Sequence, residues 1–395
     1  MKLASKKVFL IGILFLIFSV TFSIVLSEWI IRRVYPQFTL QQAQLVSPKV
    51  FKKSKLIPST LLENLDTQHI SLTREFSSHY TTNSLGYRGP EFNVEKSDNV
   101  YRILILGDSI TFGWGVEDNQ TFSYLLQQQF NQEYPDKKIE IINAGWHGSY
   151  APDSYYIYLK NEGLQLNPDL IILNLFPWND ISDLDEMVWK EMDENSMPVK
   201  IQSTARVVRK GYHVETVSSN WKFRLPILRN SHLAILAMTN LEQNSPAAVD
   251  KIKKTLRIPE PQTIPQTEVE ECIYQLECSQ RLQTLWQKLN NVILGINNLL
   301  VKNNIKFFIN ILPAHTQTFP LAEEAQPLIT QVQPQKQFKD FFDQNKIEYL
   351  DPLLYFIDGN YSNYFYPKDG HPTAQGHQKL TTALADYLKN SSVLF

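Results

Sequence analysis

The chain has 395 residues, 43% of them hydrophobic, with 38 Lys+Arg against 40 Asp+Glu. That length suits one large domain with additions or two ordinary ones, and the apolar share is enough for a packed core. The balanced charge leaves no electrostatic footprint for nucleic acid, and the two cysteines, Cys272 and Cys278, form no CxxC or Cys/His cluster of the kind that holds a structural zinc.

Lys2, Lys6 and Lys7 precede a charge-free, largely apolar run from Val8 to Leu26, long enough to cross a hydrocarbon core as a helix. The competing reading is a cleaved signal peptide. Against it, the run exceeds a usual h-region, and Ser27-Glu28-Trp29 offers no small-x-small cleavage site. Apolar character resumes at Trp29-Ile30-Ile31 before Arg32 and Arg33, as in an anchor leaving through an interface. Residues 1–7 are therefore expected to be cytoplasmic and 8–30 a transmembrane signal anchor. The amino terminus and three lysines favour the N-terminus inside, which puts the rest of a single-pass protein in the periplasm or at the cell surface. There Cys272 and Cys278 either close a small disulfide loop or remain two thiols.

Residues 31–98 are polar and lack sustained periodicity, so they read as a linker and N-terminal extension. Within them Thr81-Thr82-Asn83-Ser84-Leu85-Gly86-Tyr87-Arg88-Gly89 looks like an ordered turn, its two glycines flanking Tyr-Arg. It is either a strap packed on a domain edge or a means of bringing Arg88 to an anionic substrate. From Val100 the rhythm becomes strand and helix in alternation. Strands are expected at Tyr101–Leu106, Lys138–Ala144, Leu170–Phe176, Lys306–Leu312 and Ile347–Leu350. Helices are expected at Thr121–Gln132, Asp153–Glu162, Leu282–Lys302, Phe338–Gln344 and Thr373–Leu388. Strands apolar on both faces and separated by helices imply a parallel sheet covered on both sides. The domain so defined runs over 99–395. It is interrupted by an insertion, 181–280, that starts acidic, turns basic and ends Pro/Gln/Thr-rich, and that is either a lid or a peripheral decoration.

In such sheets ligands bind off the carboxyl ends of the strands. Five of the 14 glycines fall between Gly107 and Gly148, around the first two of those ends. The stretch YRILILGDSITFGWGV, Tyr101–Val116, ends a buried strand at glycine and presents Ser109 where a helix can begin. There backbone N–H groups and the helix dipole face developing negative charge. Gly145 follows the second strand, Asn179 the third, and Asp369 and His371 stand just before the last helix. Together they supply what acyl transfer needs. Ser109 is the nucleophile, His371 the base and Asp369 the orienting carboxylate. The oxyanion donors are the backbone N–H of Ser109 and Gly145 and the amide of Asn179. The bland readings are a helix-capping serine, a surface histidine and a turn-satisfying asparagine. His377, inside the closing helix, is a poorer base, and Asp108 and Asp180 read as loop buttresses. Trp146, His147, Trp178 and His315 lie on the same rim as candidate substrate contacts, with packing beneath the pocket an equal reading for Trp146 and His147.

This order of blocks, Gly-Asp-Ser, Gly, Asn-Asp, then Asp and His before the last helix, resembles the SGNH, or GDSL-type, hydrolase superfamily over about Val100–Asp180 and Ile305–Leu388. The apolar N-terminus, the Asn-Ser-Leu-Gly-Tyr-Arg-Gly turn and the late Asp-Gly-His-Pro…Gly-His pattern resemble its membrane-anchored bacterial members. The resemblance implies a flavodoxin-like α/β/α sandwich and an esterase or acyltransferase that uses no metal and no cofactor. It gives Ser109, Gly145, Asn179, Asp369 and His371 the roles above. The expected substrate is an O-acyl ester of an envelope glycan or a lipid-like molecule; the alternative is a non-catalytic glycan-binding or assembly protein on the same scaffold. Two blocks depart from the family pattern. Pro177-Trp178-Asn179-Asp180 stands where Gly-x-Asn-Asp is usual, and only Gly370 separates Asp369 from His371 where two residues are common.

Overall fold

The computed structural model describes residues 2–41, 49–71, 73–203, 221–226, 228–257, 280–318, 333–357 and 360–394. Cys272 and Cys278 lie outside the described residues. The chain divides into two compact units, one of Met1–Lys49 with Val207–Thr263 and the other of Val50–Arg206 with Ile264–Phe395.

In the first unit a single helix runs over Lys2–Val34. Its stretch Lys7–Val34 is long and apolar enough to cross a membrane, and an 18-residue window within it reaches a mean hydropathy of 2.8. Two shorter helices, His232–Asn244 and Pro246–Thr255, close on a small apolar cluster of Leu40, Trp221, Phe223, Ile235, Met238 and Val249. The long helix is joined to this cluster by Glu28. Its carboxylate accepts from Ser231 Oγ (2.8 Å) and from the backbone N–H groups of His232 (3.0 Å) and Leu233 (2.8 Å). A carboxylate there satisfies donors that a helix start otherwise leaves unpaired.

The second unit contains eleven short strands among the described residues, labelled here in chain order. Strands β1 (Phe51–Lys53) and β2 (Ser59–Leu61) form one antiparallel hairpin, and β3 (Asp66–Ile70) and β4 (Ser77–Thr81) form another. Next come β5 (Val100–Leu106), β6 (Lys138–Asn143) and β7 (Leu170–Leu175), then the antiparallel pair β8 (Met187–Met192) and β9 (Pro198–Ser203), and finally β10 (Lys306–Ile311) and β11 (Tyr349–Leu350). Five of them build one parallel sheet in the order β6-β5-β7-β10-β11. Numbered within the sheet this is 2-1-3-4-5, the flavodoxin-like winding, whose strand order reverses between β5 and β7. The strands expected from the sequence agree with the observed ones to within a residue or two.

Both faces of the sheet are dry. Leu104, Leu106, Ile142, Ile171, Leu173, Ile309 and Ile311 point to one side, under the helices Pro152–Asn161 and Gln280–Lys302. Ile103, Ile105, Ile141, Leu170, Ile172 and Phe308 point to the other, under Phe122–Glu133 and Ala374–Asn390. Adjacent residues alternate sides, so a strand buried on both faces reads as a continuous apolar run.

The insertion expected over 181–280 is not one body. Its first part, the end of the helix Pro177–Asp185 and the β8–β9 hairpin, adds Ile181, Leu184, Met187, Met197 and Ile201 to the core beneath the sheet. Residues 207–263 belong to the other unit. Of the stretch read as linker and extension, residues from Val50 on belong to the sheet's own unit. They close a cluster of Val50, Leu61, Leu65, Phe76 and Tyr80 with Phe112 and Trp114 from the loop after β5.

Candidate active site

β5 ends at Leu106, and Gly107 turns the chain with φ +154°, where a Cβ would collide with Thr111 and approach Asn174. Asp108 then caps the four-residue helix Ser109–Phe112, accepting from Ile110 N–H at 3.0 Å. The serine is therefore not the cap, and its hydroxyl is left for other partners. Ser109 Oγ lies 2.8 Å from His371 Nε2, and His371 Nδ1 lies 2.6 Å from Asp369 Oδ1. A carboxylate only accepts, so Nδ1 carries the ring proton and Nε2 faces the serine as an acceptor. The Asp369 side chain is fully buried, while that of His371 keeps about a fifth of its surface exposed.

The short Asp369–His371 spacing is accommodated by Gly370. It takes φ +85°, a conformation that suits glycine, and donates its N–H to Tyr366 O at 2.8 Å. Tyr366 N–H returns a bond to His371 O at 2.9 Å, closing the 366–371 loop on itself. His315 starts a short helix against this loop, its Nδ1 3.0 Å from where a Cβ on Gly370 would stand. Burial and the neighbouring His371 push the His315 pKa below the usual imidazole value.

Two of the three expected oxyanion donors are already engaged. Gly145 N–H donates to Asn143 Oδ1 at 2.9 Å, and Asn179 Nδ2 donates to Asp108 Oδ2 at 2.9 Å. The Asn179 amide has a second N–H, and its Oδ1 is buried without a partner among the described residues. Gly145 is required by close approach: a Cβ there would collide with the backbone of Thr111 and Phe112. Burial raises the Asp108 pKa, and the Asn179 and Ile110 donors oppose that rise. Burial, then the charge of Asp108, holds Asp180 well above the ordinary carboxylate range. Asp180 accepts from Phe176 N–H at 2.7 Å. Both acids buttress the site from beneath, as expected.

The remaining candidates divide. Trp146, at φ +59°, stacks on Phe112 (4.8 Å) and meets Trp114 (5.2 Å) and Phe51 (5.0 Å) edge-on, beside the nucleophile's helix. His147, read either as lining the pocket or as packing beneath it, is buried. Its Nδ1 faces Gly86 O at 2.9 Å and its ring stacks on Tyr87 at 3.8 Å, so it packs under the 86–89 turn. Trp178 lies in the first turn of the helix Pro177–Asp185. His377 is fully buried, accepts from Phe122 N–H at 3.2 Å, and is pushed down to about 3 by burial. It titrates too low and is bonded elsewhere to serve as the base. Arg88 is not free for an anionic substrate. Its Nε donates to Asp118 (2.7 Å), Nη1 to Phe112 O (2.8 Å) and Gly113 O (2.5 Å), and Nη2 to Val116 O (2.6 Å). It ties down the loop that follows Ser109.

Sequence reasoning missed a buried asparagine chain that holds this helix. Asn310 donates to Asn174 Oδ1 (2.9 Å), Asn174 to Thr111 Oγ1 (2.8 Å), and Asn143 to Thr111 O (2.8 Å) and Ser123 Oγ (2.9 Å). The signal was present as single asparagines inside the apolar strands LIILNL and KFFINI. Buried amides of that kind need fixed partners.

No protein-family model matches the chain, and no curated protein matches it in sequence. Among solved structures, the chain is similar to a two-domain esterase active on acetylated mannans, at 10% identity and a TM-score of 0.38. The match covers 74% of this chain and 49% of that one, so the chain spans about half the length of that protein. It is also similar to an acetyl xylan esterase from Geobacillus stearothermophilus, at 13% identity and TM-score 0.37, covering 77% of this chain and 99% of that one. A GDSL-like lipase from Bacteroides thetaiotaomicron is a third neighbour, at 12% identity and TM-score 0.35, covering 76% of this chain and 92% of that one.

Proposed function

We propose that this chain is a serine esterase of SGNH type that cleaves O-acyl esters, with Ser109, His371 and Asp369 as its triad. The observation that carries the reading is the unbroken hydrogen-bond chain from Ser109 Oγ to His371 Nε2 (2.8 Å) and from Nδ1 to Asp369 Oδ1 (2.6 Å). It joins residues 262 positions apart at the carboxyl edge of the sheet, beside the switch point between β5 and β7. A capping or surface role would not require that alignment.

In the mechanism, Ser109 Oγ attacks the ester carbonyl carbon as its proton passes to His371 Nε2. Asp369 holds the ring through Nδ1–H and stabilises the imidazolium. The carbonyl oxygen, now an oxyanion, takes the Ser109 N–H and the second amide N–H of Asn179, with Gly145 N–H shared between it and Asn143. The C–O bond to the alcohol breaks as His371 returns the proton to the leaving oxygen. Water, deprotonated by the same ring, then attacks the acyl-serine carbonyl; the C–O bond to Ser109 Oγ breaks as His371 returns the proton to that oxygen, and the acid leaves. The residues act without a metal or cofactor in this scheme.

The apolar helix is part of the same reading, as a retained single-pass anchor that holds the catalytic unit outside the cytoplasm. The Glu28 cap on the helix His232–Asn244 supports retention, because the end of the anchor is built into a folded unit. Intact mass of the membrane-extracted protein tests it: an N-terminus at Met1 supports the anchor, and one near Glu28 makes it a signal peptide. For the chemistry, full-length protein is offered acetylated xylo- and manno-oligosaccharides and short-chain aryl esters, with Ser109→Ala beside it. Acid release that requires Ser109 supports the esterase. Acyl transfer to an added sugar hydroxyl in place of water makes it a transferase. No turnover of any ester by folded protein returns weight to a binding role.

A further inference from the structure

Asp369 has one side-chain partner for its carboxylate, His371 Nδ1, while its Oδ2 is buried without any among the described residues. Little besides its backbone therefore fixes how the carboxylate meets the ring. That backbone is held from the turn between β3 and β4, nearly three hundred residues earlier in the chain. Glu75 accepts from Lys368 N–H (3.0 and 3.2 Å to its two oxygens) and from Asp369 N–H (2.9 Å). Two consecutive N–H groups on one carboxylate are charge-assisted bonds, stronger than their neutral counterparts, and they orient the peptides that bear them. Glu75 is itself set by Thr73, whose Oγ1 donates to it at 2.7 Å, and by Ser71 Oγ, which accepts Glu75 N–H at 3.2 Å.

The same hairpin grips the other half of the site. Phe76 packs on Tyr366 with centroids 4.7 Å apart, and Tyr366 OH donates to Gly115 O at 2.9 Å. Gly115 N–H donates to Tyr80 OH at 2.9 Å, and that hydroxyl meets His69 Nδ1 at 2.9 Å. The β3–β4 hairpin thus spans the loop after the nucleophile and the loop that carries the base.

We propose that Glu75 is a positioning residue for the acid–base loop: it sets the backbone of Lys368 and Asp369 so that the Asp369 carboxylate holds His371 in line with Ser109. The proposal rests on the esterase reading above. Its mark is that Glu75 acts through Asp369, so its removal matters only while Asp369 can orient the ring. The test uses full-length protein in detergent and a fluorophosphonate probe, with inactivation split into probe affinity and maximal rate, and melting followed for each variant. Glu75→Ala is expected to lower the maximal rate by about 10- to 100-fold at unchanged affinity, the scale of a small misplacement at a reacting centre. Glu75→Gln, which keeps an acceptor oxygen for one N–H, recovers part of that loss. It also carries the test if Glu75→Ala fails to fold. In the Asp369→Asn background, Glu75→Ala adds no further loss. Wild-type rates in Glu75→Ala, or an undiminished loss in the Asp369→Asn background, overturn the proposal. Wild-type protein that does not react at Ser109 overturns instead the esterase reading on which it stands.

Discussion

On one side of Ser109 the polar groups are aimed at the hydroxyl: His371 at 2.8 Å, Asp369 behind it, and Glu75 behind the Asp369 backbone. On the other side the proposed oxyanion donors already have protein partners, Gly145 N–H on Asn143 and one N–H of the Asn179 amide on Asp108. The two sides answer different needs. A base must be in contact with its proton before the reaction starts, whereas oxyanion donors are useful only once charge develops, and until then a buried N–H needs a partner. Engaged donors are also fixed donors. Asn143 and Asp108 hold Gly145 and Asn179 in place, so little reorganisation is left for the transition state.

Breaking the acid–base side should have the largest effect. Asp369→Asn keeps the shape but favours the wrong ring tautomer, and labelling or turnover should fall by about 10⁴-fold with folding intact. On the oxyanion side, Asn179→Ala should lower kcat by about 10²- to 10³-fold and leave KM nearly unchanged, because the amide binds charge that only the transition state carries. Steady-state kinetics on the best ester distinguishes the two. If Asn179→Ala instead raises KM alone, the amide contacts ground-state substrate and is not an oxyanion donor.

The comparison also separates what could be read in the sequence from what could not. Ser109 was legible because a strand apolar on both faces must end in a turn, and Gly107-Asp108-Ser109 follows it directly. Gly145 and Asn179 were legible as the same event after the next two strands. The sheet followed from strands with no polar face. The capping role of Asp108 was not legible, since Asp and Ser are both good helix caps and only geometry chooses between them. The hairpins before β5 escaped notice for a different reason. DTQHI and SSHYT are polar strands whose buried positions are His69, Ser78 and Tyr80, so no apolar alternation marks them. Glu75 shows the same limit more sharply: an exposed-looking turn acid whose partners lie 293 and 294 residues away.

Two smaller effects sharpen the picture of the buried support. Asn143→Ala removes the partners of Gly145 N–H, Thr111 O and Ser123 Oγ together, and denaturant unfolding should show a loss of about 2–3 kcal/mol. The other concerns His377. Its folded-state pKa is depressed from 6.5 to about 3, so the unfolded chain binds more protons between those values. Its contribution to stability is present above about pH 6.5 and is lost as the pH falls toward 3. His377→Gln, which keeps an acceptor for Phe122 N–H, should flatten the acid side of the stability profile without changing the rate at Ser109. An unchanged slope would mean that other groups carry the acid lability.

The central claim is that Ser109 is a nucleophile activated by His371. The most direct measurement is fluorophosphonate labelling of the full-length protein, with the modified residue located by mass spectrometry and Ser109→Ala and His371→Ala run in parallel. One adduct is expected, on Ser109, absent in the first variant and slowed by orders of magnitude in the second. Folded wild-type protein that takes no label, or labelling at Ser109 that survives His371→Ala at full rate, would contradict it.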